Sequence, residues 1–167
     1  VERIFGLHNW PSIPLGEVAI VDGPMMAASS LFDLRVRGIG GHGSQPFETR
    51  DPIVSTAQII THAQQIVSRE NDPREPLVLS FCTIEGGSAK NVIPSTVSLS
   101  GTIRAFEDER IDWAGHRLGE LAEQIADVNG CVVEYDHKRQ YPVLSNHPKE
   151  AALVRTVTWE LIDADAV

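Results

Sequence analysis

Three short stretches carry residue types able to work on a polar substrate: Gly40-Gly41-His42-Gly43-Ser44-Gln45-Pro46, Asn91-Val92-Ile93-Pro94, and Arg104. Glycines on both sides of a histidine let the backbone come close to a ligand, since no side chain holds it off. The imidazole of His42 can give or take a hydrogen bond near neutral pH. An amide from Asn91 and the guanidinium of Arg104 would complete a set suited to a carbonyl oxygen or a carboxylate. Gly6-Leu7-His8-Asn9-Trp10-Pro11 offers a further imidazole near the start of the chain. His62, His116, His137 and His147 lack partner spacing and read as solvated. Trp113 and Trp159, on helices, read as packing residues.

These residues must be held by regular elements, and the hydrophobic pattern supplies them. Phe32, Leu34 and Val36 alternate with Asp33, Arg35 and Arg37, which predicts a strand with one wet face. Asp51-Pro52 then opens a helix, the acid capping free amides and the proline suiting the first position. Its expected apolar stripe is Ile53, Ala57, Ile60, Ala63 and Val67. Leu77 to Ile84 reads as a strand apolar on both faces. A further strand sets Val97, Leu99 and Ile103 against Ser98, Ser100, Thr102 and Arg104. A helix from about Asp108 to Asn129 buries Ile111, Ala114, Leu118, Leu121, Ile125 and Val128 and stops at Gly130. Cys131 to His137 forms the next strand, and a last helix starts near Pro148 and carries Ala151, Val154, Val157 and Leu161. Ahead of all these, Glu17–Val21 reads as a strand and Gly23-Pro24 as a turn.

From residue 31 onward the order is β-α-β-β-α-β. This predicts an α+β, ferredoxin-like unit: a four-stranded antiparallel sheet with both helices on one face.

The 167 residues suffice for one packed core, and 42% hydrophobic with 22% charged residues is ordinary for a globular protein. The net charge of -9 comes with no basic stripe, which argues against nucleic acid as a partner. No apolar run approaches the roughly 20 residues that cross a bilayer. The two cysteines, Cys82 and Cys131, are too few for a disulfide scaffold and point to a reducing, cytoplasmic setting. Both read as buried core residues. A start without methionine or signal pattern, and an end without a helix stop, predict a segment of a longer polypeptide.

Gly6-Leu7-His8-Asn9-Trp10-Pro11, Gly23-Pro24-Met25-Met26-Ala27, Gly40-Gly41-His42 with Pro46 and Asp51-Pro52, Asn91-Val92-Ile93-Pro94 and Gly101-Thr102-Ile103-Arg104 follow one another in order. Together they resemble the family of dinuclear-metal amidohydrolases that includes hippurate hydrolase, N-acyl amino acid amidohydrolases and auxin-conjugate hydrolases. The resemblance implies a satellite, dimer-forming domain over residues 31–145. Residues 1–30 would then end one segment of an α/β metal-binding domain, and residues 146–167 begin its return.

It further implies that His8 is a metal ligand, and that His42 reaches into the neighbouring subunit's active site as an oxyanion-stabilising catalytic residue. Asn91 and Arg104 would bind the substrate carboxylate. Two divalent ions (zinc, manganese, cobalt or nickel) would belong to the full-length enzyme, which hydrolyses N-acyl amino acids as a homodimer. This segment alone is expected to hold no metal and to be inactive. The competing expectation is a free-standing ferredoxin-like binding or regulatory module without catalysis. Edge-to-edge pairing of strand 77–84, with helix 51–69 beside it, is the expected dimer contact.

Overall fold

The computed structural model describes residues 2–162. The first strand, β1 (Gly23–Met26), precedes β2 (Ala28–Arg37) and the two-residue β3 (Gly41–His42). Helix α1 (Pro52–Gln65), β4 (Leu77–Gly86), the two-residue β5 (Val92–Ile93) and β6 (Thr96–Ala105) follow. Then come α2 (Asp108–Val128), β7 (Val132–Tyr141), β8 (Leu144–Asn146) and α3 (Pro148–Leu161). Of the described residues, 26–144 form one compact unit, and 2–25 with 145–162 form another.

In the larger unit, four strands make an antiparallel sheet in the order β4-β6-β2-β7. With α1 between β2 and β4 and α2 between β6 and β7, this is the expected ferredoxin-like topology. Alternation in β2 buries Phe32, Leu34 and Val36, and β6 adds Leu99 and Ile103; Ile59, Ile111 and Leu118 from the helices join the same core. Asp51 caps α1 by accepting the Ile53 amide at 2.8 Å, with Pro52 in the first turn as expected. Gly130, at φ +67°, closes the end of α2.

Gly101 lies opposite both Phe32 and Phe81, whose rings meet edge to face with centroids 5.2 Å apart. A Cβ there would stand 2.3 Å from the Phe32 Cζ and 2.1 Å from the Ser80 carbonyl oxygen. Glycine is what lets the Phe32 ring lie across β6.

The face of the sheet away from the helices carries charge. Glu134 on β7 meets Arg37 at 2.8 Å and Arg35 at 3.9 Å. Asp33 stands directly opposite Asp136, which pairs with Lys138.

Five expectations on local structure are corrected. Glu17–Val21 forms no strand, and Gly23-Pro24 begins β1 rather than turning; β1 has a partner in β8, whereas 17–21 has none. Helix α1 buries Pro52, Ser55, Thr56, Ile59 and Ala63, while Ile53, Val54 and Ala57 are exposed. Two interleaved stripes share helical spacing in this segment, and the one ending in Ile59, Ala63 and Ile66 wins the core. At the end of α2, Val128 is exposed, lying past the last turn that covers the sheet. Cys82 is exposed on the edge strand β4, whereas Cys131 is buried and its thiol pKa is pushed up by burial.

His137 is a sixth correction. It is half-buried on the helix side of β7, its Nε2 2.7 Å from Ser30 Oγ. Gly115 and Gly119 on α2 make room for it and for Tyr135: a Cβ would meet those rings at 2.3 and 2.8 Å. The Tyr135 hydroxyl donates to the Gly115 carbonyl at 2.8 Å. Burial lowers the His137 pKa and raises that of Tyr135.

In the smaller unit β1 pairs with β8. Asn146 Nδ2 donates to the Val21 carbonyl at 2.9 Å, and Arg155 reaches Asp22 at 2.6 Å. Ala151 is the buried residue of α3; Val157 and Leu161 are exposed.

Candidate functional site

The His42 loop is a small braced structure at one end of the main sheet. Gly41 and His42 pair with Ile93 and Val92 across the β3–β5 ribbon. Just beyond, the Gly43 amide donates to the Asn91 carbonyl at 2.8 Å. The loop then folds back: the Gln45 amide donates to the His42 carbonyl at 2.8 Å, and one tight 3₁₀ turn covers Pro46–Glu48. Thr49 Oγ1 closes on the Pro46 carbonyl at 2.8 Å, and Ile39 and Arg50 exchange backbone bonds of 2.9 Å. The ribbon thus carries His42 and Asn91 side by side, both exposed.

One contact decides what the imidazole can do. The Ser44 backbone amide donates to His42 Nδ1 at 3.1 Å, and Ser44 Oγ lies 2.8 Å from the same atom. An amide N–H cannot accept, so Nδ1 must present its lone pair and the neutral ring carries its proton on Nε2. His42 is therefore set to donate from Nε2 into solvent. That is the role an oxyanion asks of it.

Arg104 lies elsewhere. It sits near the end of β6, opposite Ser29 on β2 and Val78 on β4, whereas the ribbon joins the sheet where Arg37 meets Thr96. Eight residues of strand separate Thr96 from Arg104, or about 26 Å at roughly 3.3 Å per residue. The structure thus groups His42 with Asn91 and sets Arg104 at the other end of the sheet. Among the described residues Arg104 has no carboxylate partner, although Arg37, Arg74, Arg117, Arg139 and Arg155 all do. Its Nη1 donates instead to Thr102 Oγ1 at 3.0 Å. The rest of its donor edge is free for an incoming anion.

His8 belongs to the smaller unit. Its Nδ1 is 2.7 Å from the Asn9 carbonyl, and its ring lies 5.6 Å from that of Trp10. A carbonyl partner requires Nδ1 to carry the proton, which leaves the Nε2 lone pair available to a cation. Among the described residues, no group of three or more His, Cys, Asp or Glu is placed to hold a metal. One imidazole is far short of a two-ion centre, so the residues present do not make up that site.

Sequence reasoning missed Ser44 and Thr102 as supports. Thr102 was within reach of it, because residues two apart on a strand share a face. Ser44 needed the loop geometry.

The larger unit is thus a ferredoxin-like sheet with a braced, histidine-bearing ribbon at one end and, at the other, an arginine that has no carboxylate partner among the described residues. The family model for the peptidase dimerisation domain matches residues 29–128. The chain belongs to that family.

Among its relatives, an N-acyl-L-amino acid amidohydrolase of Geobacillus stearothermophilus is 37% identical over 147 residues, which are 88% of this chain and 40% of the relative. An IAA-amino acid hydrolase of Arabidopsis thaliana is 39% identical over 136 residues, 81% of this chain and 31% of the relative. A solved dinuclear metal-binding peptidase of the M20 family from Bacillus subtilis superposes with a TM-score of 0.66 at 26% identity, covering 92% of this chain and 37% of that one. The chain spans well under half the length of each of these proteins. Among the described residues, no helix is long and apolar enough to cross a membrane.

Proposed function

We propose that this chain is the dimerisation and lid segment of a metal-dependent amidohydrolase that cleaves the amide bond of N-acyl amino acids. His42 acts as a catalytic donor to the oxyanion, Asn91 and Arg104 bind the substrate carboxylate, and His8 contributes one ligand to metal ions otherwise held by residues outside this chain. The observation that carries the reading is the Ser44 amide on His42 Nδ1, which leaves Nε2–H facing outward. The names of the relatives, an N-acyl-L-amino acid amidohydrolase and an IAA-amino acid hydrolase, support the substrate class.

The position of Arg104 sharpens the arrangement. A span of about 26 Å along β6 is too great for His42 and Arg104 of one protomer to grip one small substrate. A cleft that uses both takes Arg104 from one protomer and His42 with Asn91 from its partner. Pairing through β4, an edge strand with Val78 and Ile84 exposed, supplies such a dimer.

The test uses the full-length polypeptide. His42→Ala lowers kcat roughly 100- to 1000-fold, the usual cost of one oxyanion donor. Arg104→Gln raises KM instead. Mixed dimers of the two variants contain one cleft with both groups intact, and so regain about half the wild-type turnover per dimer. Inactive mixed dimers would refute the shared cleft, and unimpaired turnover by His42→Ala would remove the oxyanion role.

A further inference from the structure

We infer that Thr102 is a positioning residue that fixes the guanidinium of Arg104 for carboxylate recognition. The inference rests on the reading of Arg104 as a carboxylate-binding group and adds a residue to it.

Thr102 lies two positions before Arg104 on β6, on the same face of the strand. It is buried, although its neighbours two positions away on the same face, Ser100 and Arg104, are half-buried and exposed. Its hydroxyl donates to the Ser30 carbonyl on β2 at 3.0 Å, a bond that crosses to the neighbouring strand. That bond uses the only proton of the hydroxyl. A lone pair remains, and it accepts Arg104 Nη1 at 3.0 Å.

The direction of both bonds is therefore settled, from Arg104 to Thr102 to the Ser30 backbone. Branching at Cβ limits the rotamers of Thr102, so the acceptor is held by the sheet itself. A long arginine side chain at an exposed strand position otherwise samples many rotamers, and ordering it on binding costs free energy. The threonine takes up one Nη1 donor and leaves Nε and Nη2, the edge that receives a carboxylate in two parallel bonds. No acidic side chain among the described residues competes for that edge.

The experiment compares an N-acyl amino acid with its carboxamide analogue, which is similar in shape but uncharged, on full-length enzyme. Thr102→Val keeps the volume and branching and removes the hydroxyl. KM for the acid rises roughly tenfold, as fits one lost hydrogen bond to a charged group, while kcat and the KM for the carboxamide stay near wild type. Thr102→Ser restores most of the discrimination. Thr102→Ala asks the same question should the valine variant fail to fold, and thermal melts of each variant monitor folding.

Equal losses on both substrates, or no loss on either, would overturn the positioning role. Arg104→Gln separates this inference from the reading beneath it. If that variant keeps full discrimination between acid and carboxamide, the carboxylate role of Arg104 falls. If it loses discrimination and Thr102→Val does not, only the role of Thr102 falls.

Discussion

Adding one methyl group at Gly101 sets two effects of opposite sign against each other. Glycine in a strand loses more backbone freedom on folding than alanine, so Gly101→Ala should by that measure stabilise the chain by about 0.4–1 kcal/mol. The new Cβ, however, would lie 2.1 Å from the Ser80 carbonyl oxygen and 2.3 Å from Phe32 Cζ. Ordinary contact needs about 3.5 Å, so each neighbour must yield by more than about 1 Å. The Phe32 ring is fully buried and the Ser80 oxygen is part of the backbone of β4, so neither can swing aside. Overpacking of this kind costs about 1–3 kcal/mol, and a fixed backbone neighbour puts the case at the upper end. The clash wins by about 2 kcal/mol. For a unit of this size that lowers the melting temperature by about 8 °C. Thermal melts by circular dichroism measure it, with Gly101→Ala/Phe32→Leu as companion. The double variant relieves the ring contact but not the Ser80 contact, and so recovers only part of any rescue. A single variant that melts at or above the wild-type temperature would refute the reasoning.

Two further outcomes follow from the fold. Burial holds the folded-state pKa of His137 below its ordinary value of 6.5, against the attraction of Asp112 and Asp136 and with the repulsion of Arg139. The unfolded chain then takes up this proton first as pH falls, so stability present above about 6.5 is lost as pH drops toward the folded pKa. Melts between about pH 7.5 and 5 should show that loss in the wild type and a flatter profile in His137→Gln; parallel profiles would contradict it. On the edge strand, Val78→Lys/Ile84→Lys should shift the proposed dimer to monomer in sedimentation over a concentration series, since charges at half-exposed positions must be desolvated on pairing. A dimer that survives both charges would place the contact elsewhere.

The strands and helices of the larger unit were legible where one periodicity stood alone. In β2 the alternation of Phe32, Leu34 and Val36 with charged neighbours admits a single burial pattern, and the structure follows it. Helix α1 holds two apolar stripes at helical spacing, and only packing against the sheet selects the one through Ile59 and Ala63. Val18, Ile20 and Val21 have the composition of a strand, but a strand also needs a neighbour, which composition does not supply. His137 could not be recognised as a packed residue because its niche depends on Gly115 and Ser30, 22 and 107 positions away. The residues of the candidate site were named by motif. Their division into His42 with Asn91 at one end and Arg104 at the other follows from the antiparallel register alone.

The two borders of the main sheet are unlike. Along β7, Glu134, Asp136 and Lys138 project into solvent, whereas β4 shows valine and isoleucine. A copy that adds through β4, as proposed above, covers Val78 and Ile84 and leaves the β7 border, with Glu134, Asp136 and Lys138, facing outward. Two-fold pairing of that kind uses up the β4 edge of both copies, so the proposed assembly closes as a pair through that contact.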